Sequence, residues 1–116
     1  MAATQFTSTV ATPGTPQRLT AGATPALPTL SGGLSGTITP SGRQIRVTAD
    51  PGNTAAKSLF IGGPSLSVSG NSGWSEKLAP GASVTLEAPG NDGACNAGDY
   101  FVDTDGTVAK YGVSVL

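Results

Sequence analysis

Three carboxylates stand close together near the C-terminus, Asp99, Asp103 and Asp105, with Asn91, Asp92 and Asn96 just upstream. Calcium takes about six to eight oxygen ligands, so a cluster of this kind raises a metal site. Asp103-Thr104-Asp105-Gly106 has the opening alternation of a calcium loop but lacks its later glutamate. Asp and Asn before Gly are also what tight turns require for local reasons. Turn duty is therefore the expectation, with no metal and no cofactor. A carboxylate pair for glycoside hydrolysis would have to face across a cleft, and a chain with 5% aromatic residues has few rings to stack a sugar. There is no histidine, which removes the commonest general base near neutral pH and the usual partner of a catalytic Ser or Cys. Cys95, the single cysteine, sits in a Gly/Asn-rich stretch with no imidazole to activate it and no second thiol to pair with. No glycine-rich phosphate loop runs into Lys and Ser or Thr, and no G-x-G-x-x-G precedes a helical pattern. The chain is expected not to be an enzyme.

The remaining chemistry is that of contact. Trp74 is the only tryptophan and follows a Gly-Asn-Ser-Gly turn. A rim or core aromatic is the plain reading. An interface anchor is the functional one, because Trp is enriched among binding hot spots. Leu27, Leu30 and Leu34 are isolated leucines in a Pro/Gly/Ser/Thr-rich stretch and are candidates to lie on a partner.

The elements that would position these residues are strands. Of the 116 residues 37% are hydrophobic and only 11% charged, against about 25% charged in an average soluble domain. Helical surfaces need many Glu, Lys and Arg, so this deficit argues for β-structure. The 17 Gly and 9 Pro supply tight turns. Six basic and seven acidic residues leave a net charge of −1. The cations are spread along the chain, so nucleic-acid binding is not expected. No apolar run approaches the ~20 residues of a bilayer span, and the N-terminus carries no secretion pattern. A soluble protein made in the cytoplasm is expected.

Residues 4–10, TQFTSTV, read as a strand, and residues 15–20, TPQRLT, as a short extended piece. Residues 21–42 show no useful periodicity, which marks a long loop or an arm. From Arg43 the alternation sharpens, with Ile45, Val47 and Ala49 on one face. Asp50-Pro51-Gly52-Asn53 is a turn. A strand follows with Leu59 and Ile61 inward, and Gly62-Gly63-Pro64 reads as a turn before Leu66 and Val68. SVTLEA, DYFVD and a last strand carrying Ala109, Tyr111, Val113 and Val115 complete the set. Short strands at this spacing imply an all-β fold, a compact antiparallel β-sandwich or small barrel. Immunoglobulin-like and jelly-roll arrangements both stay open. An extended N-terminal region or arm over 1–42, with one or two short strands, and a sandwich over 43–116 are the expected divisions.

From Arg43 onward the order of features resembles small virion structural proteins of tailed bacteriophages. An alternating strand (QIRVTA) leads to a turn with Asn53, and SLFIGG ends in a double glycine. A Pro-Gly-x-Ser turn starts PGASVTLEA, then come DYFVD and the closing AKYGVSVL, with TPQRLT fitting upstream. The resemblance covers roughly two-thirds of the chain in turn-and-strand patterns. It implies a capsid decoration (cement) protein on the virion's capsid surface. Such a protein would bind the major capsid protein and stabilise the head, with a homotrimer favoured and residues 1–42 as an arm. A receptor- or glycan-binding module of a head fibre or tail, and a head-tail connector or tail subunit, are the other expectations in the same setting.

Overall fold

Period-2 alternation decides which side of each strand is dry. In the computed structural model, which describes residues 4–24, 41–54, 57–87, 95–106 and 108–115, the strands are β1 (Thr4–Val10), β2 (Gln17–Arg18), β3 (Ser41–Gly42), β4 (Gln44–Ala49), β5 (Leu59–Ser67), β6 (Ser72–Leu78), β7 (Ser83–Glu87), β8 (Cys95–Asn96), β9 (Phe101–Thr104) and β10 (Ala109–Val115). They form two four-stranded antiparallel sheets, β1-β10-β4-β7 and β2-β9-β5-β6, with β3 and β8 as a small separate ladder. The fold is all-β and sandwich-like, as the alternation implies. Among the described residues no helix is long and apolar enough to cross a membrane.

One core joins the sheets. Phe6 and Val10, Ile45 and Val47, and Tyr111 and Val113 are buried from the first sheet against Leu59, Ile61, Leu78 and Val102 from the second. Fully burying each such side chain is worth about 1.5–3 kcal/mol, and a core built this way needs no charged residue. Register follows the same logic, with Val113 of β10 opposite both Phe6 and Val47. A slip by one residue would turn the apolar set to solvent.

The division at residue 42 is corrected. β1 pairs along its whole length with β10, β2 pairs with β9, and Phe6, Val10 and Leu19 are core residues. The sandwich therefore takes in β1, β2 and Leu19, all ahead of residue 43. A second correction concerns Gly62-Gly63-Pro64, which does not turn the chain, because β5 runs through it to Ser67.

The β1–β2 connection carries the chain from one sheet to the other, and Gln17 pins it. Its Nε2 donates to the Thr9 carbonyl at 3.0 Å and to the Tyr111 hydroxyl at 3.4 Å, while its Oε1 accepts from Ala11 N. The Tyr111 hydroxyl donates to the Leu19 carbonyl at 2.8 Å. Burial pushes the Tyr111 phenol above its ordinary value of 10.0, while hydrogen bonds with Ser8 and Gln17 pull the other way. Below about pH 10 the phenol is neutral in the folded and unfolded chains and favours neither. Above that, the unfolded chain loses the proton first, so stability falls as pH rises toward the folded value. Urea midpoints measured between pH 8 and 11 should drop, and Tyr111→Phe should flatten the drop. The same substitution should cost about 1 kcal/mol at pH 7 through the lost bond to Leu19.

Candidate functional site

The two outer faces of the sandwich differ in chemistry. On the first sheet the outward positions of β1, β4 and β10 include Thr7, Thr9, Arg46, Thr48, Lys110 and Gly112, opposite in phase to the buried set. An open depression of about 650 Å³ lies here, lined by Thr7, Thr24, Thr48, Asp50 and Lys110 among others.

The outer face of the second sheet carries aromatic rings and cations. Register places Lys77, Phe60 and Asp103 side by side across β6, β5 and β9. The next row holds Trp74, Gly62, Phe101 and Arg18. Phe60 is buried but stands outside the main core cluster. Trp74 packs edge-on against it with centroids 5.6 Å apart and planes at 80°. The Lys77 ammonium lies 5.5 Å from the Phe60 centroid, and the Arg18 guanidinium carbon 5.2 Å from that of Phe101. Both are within cation–π range. Arg18 also donates through Nη1 to the Gly98 carbonyl at 2.6 Å.

Trp74 stays 37% exposed, so it is a rim aromatic that rests on the sheet and still offers ring surface to a neighbour. Its Nε1 donates to Asn71 Oδ1 at 3.1 Å, and Asn71 occupies the left-handed region at φ 51°. Asn tolerates that region better than most residues because its short polar side chain bonds locally. Register also shifts between Ile61 and Gly62: Ile61 faces Glu76 while Gly62 faces Trp74. The extra residue, Ser75, bulges and bonds its hydroxyl to the Ile61 carbonyl. That bulge brings Trp74 and Lys77 onto one face although they are an odd number of residues apart.

Among the described residues the carboxylates do not gather. Asp103 is fully buried, and its Oδ1 accepts from Gly14 N at 2.9 Å and Thr104 N at 2.8 Å. Its Oδ2 has no hydrogen-bond partner. Asp105 accepts from Ser58 N at 2.7 Å. Asn96 caps the short 3-10 turn Ala97–Asp99 by accepting from Gly98 N. Among the described residues no three His, Cys, Asp or Glu side chains form a group able to hold a metal ion. Cys95 sits on β8, with its backbone opposite Gly42. Leu27, Leu30 and Leu34, named as contact candidates, lie outside the described residues, as do Asn91 and Asp92.

Of the interface candidates, the described structure thus places Trp74, and it adds Phe60, Phe101, Lys77 and Arg18 around it. One signal for this was present in the sequence. Leu59-Phe60-Ile61 is an unbroken apolar run, and consecutive apolar residues in a strand mean that both faces are covered. Fold and face together define an antiparallel β-sandwich presenting an aromatic, cation-flanked sheet face. No family model, no curated protein and no solved structure matches the chain.

Proposed function

We propose that this domain is a non-enzymatic structural protein of a phage virion, a capsid decoration protein that docks on the major capsid protein through the outer face of its second sheet. The observation that carries the docking face is Trp74, exposed beside a buried phenylalanine and bracketed by an arginine and a lysine. Aromatic and Arg side chains supply most hot spots in protein interfaces, at about 2 kcal/mol or more each. The virion setting rests on the strand-and-turn resemblance, and few charged side chains suit close packing of many copies. The reading includes a homotrimer on the capsid surface, with no nucleic acid and no membrane as partner. Trp74→Ala should weaken binding to capsids by about 100-fold, or about 2.7 kcal/mol, and leave the far-UV circular dichroism unchanged. Light scattering of the isolated protein reads the trimer directly.

A second reading is favoured by the exposed ring of Trp74 lying beside the Asn71 amide. Ring stacking next to a planar hydrogen-bonding group also suits a sugar, which would make the domain a receptor- or glycan-binding module of a fibre or tail. Saturable binding to host glycans, lost in Trp74→Ala, with no affinity for capsids would select it.

A further inference from the structure

We infer that the surface recognised by this face is acidic, a protein patch whose carboxylates straddle an apolar residue; the inference rests on the docking role proposed above. The charges on the face carry it. Arg18 and Lys77 are both exposed, and their charged heads lie over Phe101 and Phe60. The carboxylate on the same rows, Asp103, is fully buried and accepts from main-chain amides, so it forms no ion pair with either cation at the surface. Glu76, although next to Lys77 in sequence, pairs opposite the core residue Ile61 and so belongs to the other side of the sheet. Asp99 and Asp105 stand in the turns that flank β9. The sheet face therefore offers two cations about an aromatic centre, within a chain whose net charge is −1.

Among the described residues neither cation is spent on a carboxylate. Lys77 lies against a ring, and Arg18 uses one N–H on a carbonyl and keeps others of its five donors. A partner that buried them without a counter-charge would bear the cost of desolvating each ion. A carboxylate meeting each head removes that cost, while an apolar side chain between them covers Trp74. A second copy of this chain offers the same two cations on its own copy of the face. Face-to-face self-pairing would set like charges against each other, so the complementary partner is a different surface.

Charge and ring contributions separate kinetically. Charged rim residues act mainly on the association rate and its salt dependence, whereas a packed aromatic acts on dissociation. The test is surface plasmon resonance on capsids assembled without this protein, with wild type, Trp74→Ala, Lys77→Glu, Arg18→Glu and the charge-keeping Arg18→Lys. Each charge reversal should slow association about tenfold. Raising NaCl from about 0.05 to 0.5 M should slow wild-type association by a similar factor. Arg18→Lys should stay within about threefold of wild type, and Trp74→Ala should mainly speed dissociation. If Trp74→Ala weakens binding while both reversals and added salt leave association unchanged, docking stands and the acidic partner is overturned. If single-stranded DNA competes as well as free capsid protein, a general polyanion site replaces it. Absence of wild-type binding to capsids overturns the functional proposal itself.

Discussion

Gly73→Ala should unfold this protein about 10–15 °C lower than wild type and shift the emission of its single tryptophan. Gly73 has φ +73°, a region that costs a residue with a Cβ about 1–2 kcal/mol. Strain is the smaller part. A Cβ at this position would fall on the Ser65 carbonyl and 2.8 Å from Leu66 N. Both belong to backbone of β5, which cannot step aside as a flexible side chain would. Gly62 is the reciprocal contact, since a Cβ there would meet the Gly73 carbonyl and approach Trp74 Cα at 2.9 Å. The two glycines let β5 and β6 touch where register shifts twice, between Ile61 and Gly62 and again between Gly62 and Ser67. Forcing them apart adds at least another ~1–2 kcal/mol, as overpacking does. In total that is about 3 kcal/mol, and at about 4 °C per kcal/mol it gives the stated shift. Gly63 is the internal control, because a Cβ there meets nothing within 4 Å. Gly63→Ala should stay within about 0.5 kcal/mol of wild type. Equal losses at 63 and 73 in thermal melts would refute the close-approach account.

The same glycines show where sequence reasoning stops. Alternation at Ile45, Val47 and Ala49, and again at Ala109, Tyr111, Val113 and Val115, foretells buried faces because a side chain's direction in a strand depends only on its neighbours. The Asp50–Asn53 turn is legible for a similar reason. Asp50 Oδ1 accepts from Gly52 N, and the Asn53 amide bonds both Lys110 N and Lys110 O. A double glycine before a proline has the local composition of a turn, and only the partner strand reveals that it serves a bulged hairpin instead. β1 posed a different difficulty. Its seven residues read correctly as a strand, yet its partner β10 lies at the far end of the chain, and pairing over such a separation leaves no trace in local pattern. The candidate site was partly legible. Trp74 is marked by its type, but Arg18, Phe60, Lys77 and Phe101 come from four different strands, and register alone makes them neighbours.

Asp103 ties that register to the surface face. Its carboxyl belongs to the outer side of the second sheet by its pairing with Phe60, yet it is fully buried because the 11–16 connection bends back over it. Gly14, at φ +90°, supplies the amide that meets Oδ1, and Thr104 supplies a second. Asp103→Ala should cost about 2–4 kcal/mol. The Thr104 amide would be left without its acceptor, at about 1–3 kcal/mol, and the connection would lose its tie to the sheet. Asp103→Asn should cost less, about 1–2 kcal/mol, because the amide oxygen keeps both bonds while the nitrogen brings donors to a place where the oxygen has no partner. In urea denaturation Asp103→Leu, which keeps the volume without the acceptor, separates acceptor loss from change of volume, since Ala removes both and Asn neither. Hydrogen exchange at Gly14 locates the effect, and its amide should exchange much faster in Asp103→Ala than in Asp103→Asn. Capsid affinity should follow the same order, because releasing residues 11–16 uncovers ground beside Phe60, on which Trp74 and Lys77 both rest. Equal stability in the two variants would mean that the fold can spare this acceptor, and that the connection is held by the contacts of Gln17 with Thr9 and Ala11 alone.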